Sequence, residues 1–229
     1  MIGGIIAAGQ GRRLRDAGFT VPKPLVPVAG VPLIEGVVRN FLAADIRALT
    51  VIVNEDDRDC VEWLVERFPA VDLRGIVRTT ASSLESFRRV LAAAPPGPIV
   101  VSTVDAWCRP ADFARFVDAA ARRPADATVL GVTPLVEDEA PLWVTLDADG
   151  RIRRLGGEDG NAVTAGMYLV PERVRALVPP PHLGRLREFL AWLVTRGEMV
   201  YGETIEGVVD VDRLADVSLA ESMARRCNE

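Results

Sequence analysis

The chain has 229 residues and 49% hydrophobic content, enough for one sizeable α/β domain with a buried core. No apolar run approaches the roughly 18 residues of a membrane span. A formal net charge of −5 speaks against nucleic-acid binding, which draws much of its affinity from a basic surface.

Residues 2–7 read as a short buried strand running into the turn Ala7-Ala8-Gly9-Gln10-Gly11-Arg12-Arg13-Leu14. With no charged segment ahead of that strand, no signal peptide is expected. Residues 32–45 read as a helix and Thr50–Asn54 as a strand, after which Val61, Leu64, Val65 and Phe68 fall at helical spacing. A strand at 73–78 leads to Ser82-Ser83-Leu84-Glu85, whose spacing is that of a capping box. Residues 98–104 form an apolar strand with Asp105 at its carboxyl end, and Pro110 opens a helix to about 122.

This alternation predicts a Rossmann-like, doubly wound α/β fold, a three-layer sandwich around a mostly parallel sheet. From about residue 127 the strand-like runs at 127–133, 142–147 and 162–170 crowd together, with the turn Asp147-Ala148-Asp149-Gly150 between two of them. They predict antiparallel additions that make the sheet mixed. Leu186, Phe189, Leu190 and Leu193 mark an amphipathic helix, and a last helix spans about 213–226. Residues 1–229 read as a single domain.

Cys60, Cys108 and Cys227 lack the paired spacing of a zinc site or a disulfide framework, and suit incidental thiols in a reducing cytoplasm. The one histidine, His182, follows a proline run in a loop, so histidine triads and histidine metal clusters lack material. Carboxylates, arginines and Lys23, the only lysine, remain for chemistry. Lys23 sits in Pro22-Lys23-Pro24-Leu25 in a chain that otherwise uses arginine, which points to a need for a compact charge on a flexible stem. Gly9 and Gly11 allow a tight turn whose N–H groups can face an anion. The turn is neither a dinucleotide fingerprint, because Leu14 holds the third glycine position, nor a Walker A loop.

The string G-x-x-A-A-G-x-G-x-R-L followed by P-K-P-L-x-P-V-x-G-x-P-L-I, ending at Ile34, resembles the signature of nucleotidyltransferases that make nucleotide-activated sugars and alcohols. The resemblance implies their GT-A-like fold. It puts Ala8, Gly9 and Gly11 against the nucleotide, Arg13 on the β- and γ-phosphates, and Lys23 on the α-phosphate under attack. Arg12 stands where relatives often carry a small hydroxyl residue, and either adds a phosphate contact or points outward.

Nucleotidyl transfer to a phosphate joins two anions, so a divalent metal, Mg²⁺, is expected on carboxylates. Asp105 fits as the first ligand and resembles the aspartate of the family's G-D pair, with Val104 in place of glycine. Val208-Val209-Asp210-Val211-Asp212 resembles the family's acidic C-terminal motif. Asp210 is the chosen second ligand, Asp212 the runner-up, and Asp216 a helix-start charge. Helix capping is the competing role for these aspartates.

On the substrate side, Ser82 and Ser83 either touch the base or cap the next helix. Ala165-Gly166-Met167-Tyr168 matches an A-G-x-Y motif near the sugar, with Gly166 at the acceptor and Tyr168 in the core. Glu158 takes the place of a glutamate that bonds sugar hydroxyls, and Asn161 is either a polar contact or a turn residue. With no second lysine, any second cation gripping the acceptor phosphate has to be an arginine, such as Arg185 or Arg187. Glu137-Asp138-Glu139 reads as a solvated acidic loop, and the tryptophans as packing.

The expected partners are an NTP and a phosphorylated small-molecule acceptor, a sugar-1-phosphate first, giving an NDP-sugar and pyrophosphate. Alternatives are a cytidylyltransferase for phosphocholine or another alcohol phosphate, a glycosyltransferase, or a non-catalytic nucleotide-sensing subunit. Neither nucleic acid nor membrane is an expected partner. The base, the acceptor and homo-oligomerisation stay open.

Overall fold

The computed structural model of the chain describes residues 1–134 and 141–225. The acidic run Glu137-Asp138-Glu139 and Cys227 lie outside the described residues. The first half runs β1 (Ile2–Ala7), α1 (Arg12–Asp16), a 3₁₀ turn over Lys23–Leu25, the hairpin β2 (Pro27–Val28) and β3 (Val31–Pro32), and α2 (Leu33–Ala43). It continues with β4 (Ala48–Val53), α3 (Asp59–Arg67), β5 (Asp72–Val77), α4 (Ser83–Ala93), β6 (Ile99–Thr103), β7 (Ala106–Trp107) and α5 (Pro110–Ala121). The second half holds β8 (Thr128–Thr133), β9 (Trp143–Leu146), β10 (Ile152–Leu155), β11 (Ala162–Val170), α6 (Glu172–Arg175) and α7 (Leu186–Thr195). It ends with β12 (Val200–Thr204), β13 (Val209–Asp210) and α8 (Leu214–Arg225).

Successive side chains of a strand point to opposite faces, and the apolar runs use this to build two cores. Ile5 and Ala7 of β1, Val51 and Val53 of β4 and Val100 of β6 meet Val38 and Phe41 of α2, Phe113 and Phe116 of α5 and Val217 of α8. Ile6, Ile52, Ile99 and Val101 face the other way, against Phe87 and Val90 of α4 and Phe189 and Leu190 of α7. Helices thus cover both faces of the sheet, giving the three layers expected. Among the described residues no helix is long and apolar enough to cross a membrane.

Strands β6, β1, β4 and β5 lie side by side and parallel. The chain leaves β1 toward β4 and β5, then returns to place β6 on the opposite side of β1. That reversal opens a crevice at the carboxyl ends of β1 and β6, where open α/β sheets bind ligands. The long β11 pairs antiparallel with β6, with Tyr168 opposite Val101, and its other partners β8 and β9 are antiparallel as well. The main sheet holds two strands beyond the predicted set. Strand β10 pairs with β9 through a register shift and carries the exposed arginines Arg153 and Arg154, so it lacks a clean alternation. Strand β12 is interrupted by Gly202 and runs parallel to β8.

The carboxyl end of α4 is closed by Arg175, whose guanidinium donates to the carbonyl oxygens of Leu91 (2.6 Å), Ala94 (2.9 Å), Pro95 (2.7 Å) and Gly97 (2.5 Å). It satisfies carbonyls that a helix end leaves without an intrahelical partner. Replacing Arg175 by Ala is expected to lower stability by about 2 kcal/mol, since bonds to a charged donor are each worth more than a neutral one. The check is a fall in the urea midpoint at unchanged m value. A midpoint equal to wild type would show that water replaces the guanidinium at no cost.

Candidate active site

The glycine turn stands at the carboxyl end of β1. Gly11 adopts the left-handed conformation (φ +57°, ψ 34°) and is the N-cap of α1. A Cβ there would lie 2.6 Å from Cβ of Lys23, so both backbone and space require glycine. Gly9 is exposed and a Cβ on it would meet no atom within 4 Å, which leaves the turn open to a ligand beside the half-buried Ala8. Leu14 fills the core at the position where a dinucleotide motif has its third glycine. Arg12 turns back onto the turn, its Nε donating to Oε1 of Gln10 at 2.8 Å. Arg13 reaches across to Asp212, Nη1 to Oδ2 at 3.1 Å.

Lys23 is held by a 3₁₀ turn bracketed by Pro22 and Pro24, with the Leu25 N–H donating to the Pro22 carbonyl at 2.8 Å. Only 7% of Lys23 is exposed. Its Nζ donates to Oδ2 of Asp105 at 2.7 Å and to Oδ1 of Asp212. The two carboxylates are 107 positions apart in sequence, and a short antiparallel ladder joins their segments: β13 pairs with β7, Asp210 opposite Ala106. The Asp105 carbonyl also accepts from the Val211 N–H at 2.9 Å. Asp216 accepts from the N–H groups of Asp212 (3.0 Å) and Arg213 (2.7 Å), the helix-start role expected of it.

Burial by itself would pull the Lys23 ammonium down from its ordinary value. The Asp105 and Asp212 carboxylates outweigh that and hold it above the usual lysine range. Burial would likewise raise the Asp105 carboxyl, but the Lys23 charge, with hydrogen bonds from Lys23 and Thr103, holds it below the usual carboxylate range. At neutral pH the pair is therefore ionised.

Asp105, Asp210 and Asp212 each place one carboxylate oxygen within 4.8 Å of the others. Hard oxygen donors in this number suit magnesium, which takes carboxylates together with phosphates and water. The residues therefore fit the expected metal. Asp212, the runner-up in the sequence, stands beside Asp210 and makes the direct contacts to Lys23 and Arg13.

A cavity of about 260 Å³ adjoins this cluster, and Asp105 and Asp210 form part of its wall. Gly166 lines it with φ +72°, where a Cβ would lie 2.7 Å from Oγ1 of Thr103 and 2.8 Å from Cβ of Ala106. Arg185 and Arg187, the arginines proposed for want of a second lysine, also line it. Ser83 belongs to the wall too, and its Oγ accepts from the Leu186 N–H at 3.0 Å, tying the starts of α4 and α7 together. Ser82 is outside the wall and caps α4: its Oγ accepts from the Glu85 N–H at 3.1 Å, while Glu85 accepts from the Ala81 N–H at 2.8 Å.

The remaining acceptor candidates stand apart from this cavity. Asn161 spends its side-chain amide on the backbone of Leu146, at 2.9 and 3.0 Å, which is the turn role. Glu158 is exposed on the loop before β11. Tyr168 is buried edge-on against Phe87 as expected, yet it also reaches the cavity. Burial, then the Asp105 and Asp210 charges, push its phenol above the ordinary range. Thr103, which bonds Asp105, went unnoticed in the sequence. Its signal was its place as the last residue of β6, two positions before Asp105.

The sequence profile of the MobA-like NTP transferase domain matches residues 3–167. A mannose-1-phosphate guanyltransferase of Yarrowia lipolytica is 28% identical over 219 residues, covering 90% of this chain and 59% of that protein. A 2-aminoethylphosphonate cytidylyltransferase of Lancefieldella rimae is 40% identical over 70 residues, 30% of this chain and 28% of that protein. The chain thus spans less than two thirds of the length of each of these relatives. Among solved structures, the inositol-1-phosphate CTP transferase from T. maritima superposes with a TM-score of 0.83 at 19% identity, covering 96% of this chain and 95% of that one. A UDP-glucose pyrophosphorylase complexed with UDP-glucose gives 0.79 at 14% identity, covering 99% and 100%. At these identities the two structures speak for the fold, which is the GT-A-like nucleotidyltransferase fold. With the profile matched over most of its length, the chain belongs to the MobA-like NTP transferase domain family.

Proposed function

We propose that this chain transfers a nucleotidyl group from an NTP to a phosphorylated small-molecule acceptor, a sugar-1-phosphate, releasing pyrophosphate and an NDP-sugar. The observation that carries this reading is the buried Lys23, bonded to two aspartates at the crevice between β1 and β6, beside a cavity lined by two arginines. The open turn at Ala8, Gly9 and Gly11 would receive the triphosphate, with Arg13 on the departing β- and γ-phosphates. Arg185 and Arg187 would hold the acceptor phosphate, and Gly166 would let the acceptor approach the backbone.

An oxygen of the acceptor phosphate would attack the α-phosphorus in line. The new P–O bond forms as the bond to the β-phosphate oxygen breaks, and pyrophosphate leaves. The nucleophile is already an anion, so no general base and no covalent intermediate are needed. The chain's own contribution is positioning and charge. Lys23 would meet the α-phosphate oxygens as a point charge on a flexible stem, a task its compact ammonium suits better than a planar guanidinium. Mg²⁺, held by Asp105 and Asp210 with Asp212 beside them, would supply charge neutralisation of the phosphates. Ser82 and Asn161 keep the capping and turn roles that their hydrogen bonds give them, and Arg12 and Glu158 stand outside the cavity wall.

The 70-residue stretch shared with the Lancefieldella rimae cytidylyltransferase favours a second reading, in which CTP is the donor and an alcohol phosphate or phosphonate the acceptor. Pyrophosphate release measured with each NTP, Mg²⁺ and a panel of sugar-1-phosphates, phosphocholine and 2-aminoethylphosphonate separates the two. Release dependent on one NTP and one sugar-1-phosphate is the expected result. Nucleotide binding by thermal shift without release from any pair would instead mark a nucleotide-sensing protein. Lys23→Ala and Asp105→Ala are each expected to lower kcat by about 100-fold or more, the usual scale for deleting one preorganised charge contact. Circular dichroism should show the fold retained, and near-normal turnover in both variants would overturn the assignment.

A further inference from the structure

The atoms that Lys23 occupies raise a conflict inside the cluster. Its ammonium is bonded to Oδ2 of Asp105 and to an oxygen of Asp212, two of the three carboxylates whose oxygens converge within 4.8 Å. Arg13 takes the other oxygen of Asp212. A metal drawn to this trio meets a positive group already seated on it. Like charges sharing a partly buried carboxylate repel strongly, because little water lies between to screen them.

We propose that Lys23 is the resting counter-cation of the carboxylate trio, and that a divalent metal and the Lys23 ammonium exchange there. The inference rests on the reading of Asp105, Asp210 and Asp212 as the metal ligands. In the nucleotide-free protein the ammonium neutralises the aspartates and weakens metal binding. When the nucleotide arrives, its phosphates supply new negative charge, so Lys23 can move to them while the metal takes the aspartates. The local structure suits such a move. The stem of Lys23 passes directly over Gly11, where the missing Cβ leaves it room, and its ammonium reaches the carboxylates from beside the glycine turn. A lysine has the flexible stem and compact head this requires, and every other cationic side chain except the one histidine is an arginine, a fixed planar fork.

Mn²⁺ binding to the nucleotide-free protein, followed by electron paramagnetic resonance of the free ion, tests the exchange. Lys23→Met should bind Mn²⁺ at least about tenfold more tightly than wild type, as removal of a nearby positive charge demands. Lys23→Arg keeps the charge and should gain nothing. Adding Asp105→Asn to Lys23→Met should abolish the gained affinity. Equal affinity in Lys23→Met and wild type would overturn the proposal.

Removal of Lys23 leaves Asp105 without its partner, so a measurement on the wild-type chain guards against a folding defect. Protein labelled with ¹⁵N-lysine has a single Nζ signal, because Lys23 is the only lysine. Saturating Mg²⁺ without nucleotide should shift that signal, and a signal left unmoved would overturn the exchange. If neither readout responds while pyrophosphate release still requires metal, the exchange is wrong and the nucleotidyl-transfer reading stands. Release that needs no metal would instead remove the premise and the exchange with it.

Discussion

An ammonium group withdrawn from water must be compensated, and Lys23, 7% exposed, obtains its compensation from carboxylates far away in the chain. That demand fixes much of the molecule around the crevice. Asp105 must stand at the end of β6, next to β1, whose turn lies over the lysine stem. Asp212 must be delivered by a segment that arrives after all the other strands are laid down. The two-residue ladder between β7 and β13, and the bond from Val211 to the Asp105 carbonyl, achieve that delivery. Removing Lys23 would leave Asp105 without its cation, whereas removing either aspartate would leave the ammonium one carboxylate short.

The same arrangement joins the parallel and antiparallel parts of the sheet into one functional surface. The glycine turn, Lys23 and Asp105 come from the parallel half, at the reversal between β1 and β6. The cavity wall comes chiefly from β11 and from the start of α7. Gly166 is where these meet. Its left-handed backbone coincides with the register shift of β11 against β8, and its bare Cα clears Thr103 and Ala106. A strand bulge beside a ligand cavity re-aims the chain without breaking the sheet.

Ion pairs elsewhere serve structure. Glu35 is buried under Arg39 and Arg67, and Asp112 under Arg109 and Arg115, each pair of arginines shielding one inward carboxylate. These arginines are half-exposed forks that lie over the surface. Lys23 differs in burial and in chemistry. The use of arginine for general surface charge and lysine at one interior point therefore follows from what each cation can do when water is removed.

The alternation of short apolar runs with amphipathic stretches was enough to place the parallel strands and the helices over them, because strand and helix periods are local properties. The glycine turn, Lys23 and Asp105 were legible for the same reason: each is tied to the end of an adjacent strand or turn. What the sequence left open depends on distance in the chain. Whether Ser83 or Ser82 faces the cavity was decided by the docking of α7, which engages Ser83 through Leu186. Whether Asn161 meets a ligand or a turn was decided by its pairing with Leu146 across the β9 region. The choice between Asp210 and Asp212 had no local answer, since residues two apart on an extended segment share a face and periodicity favours neither. The ladder to β7 brings both to Asp105 and turns Asp212 toward Lys23 and Arg13.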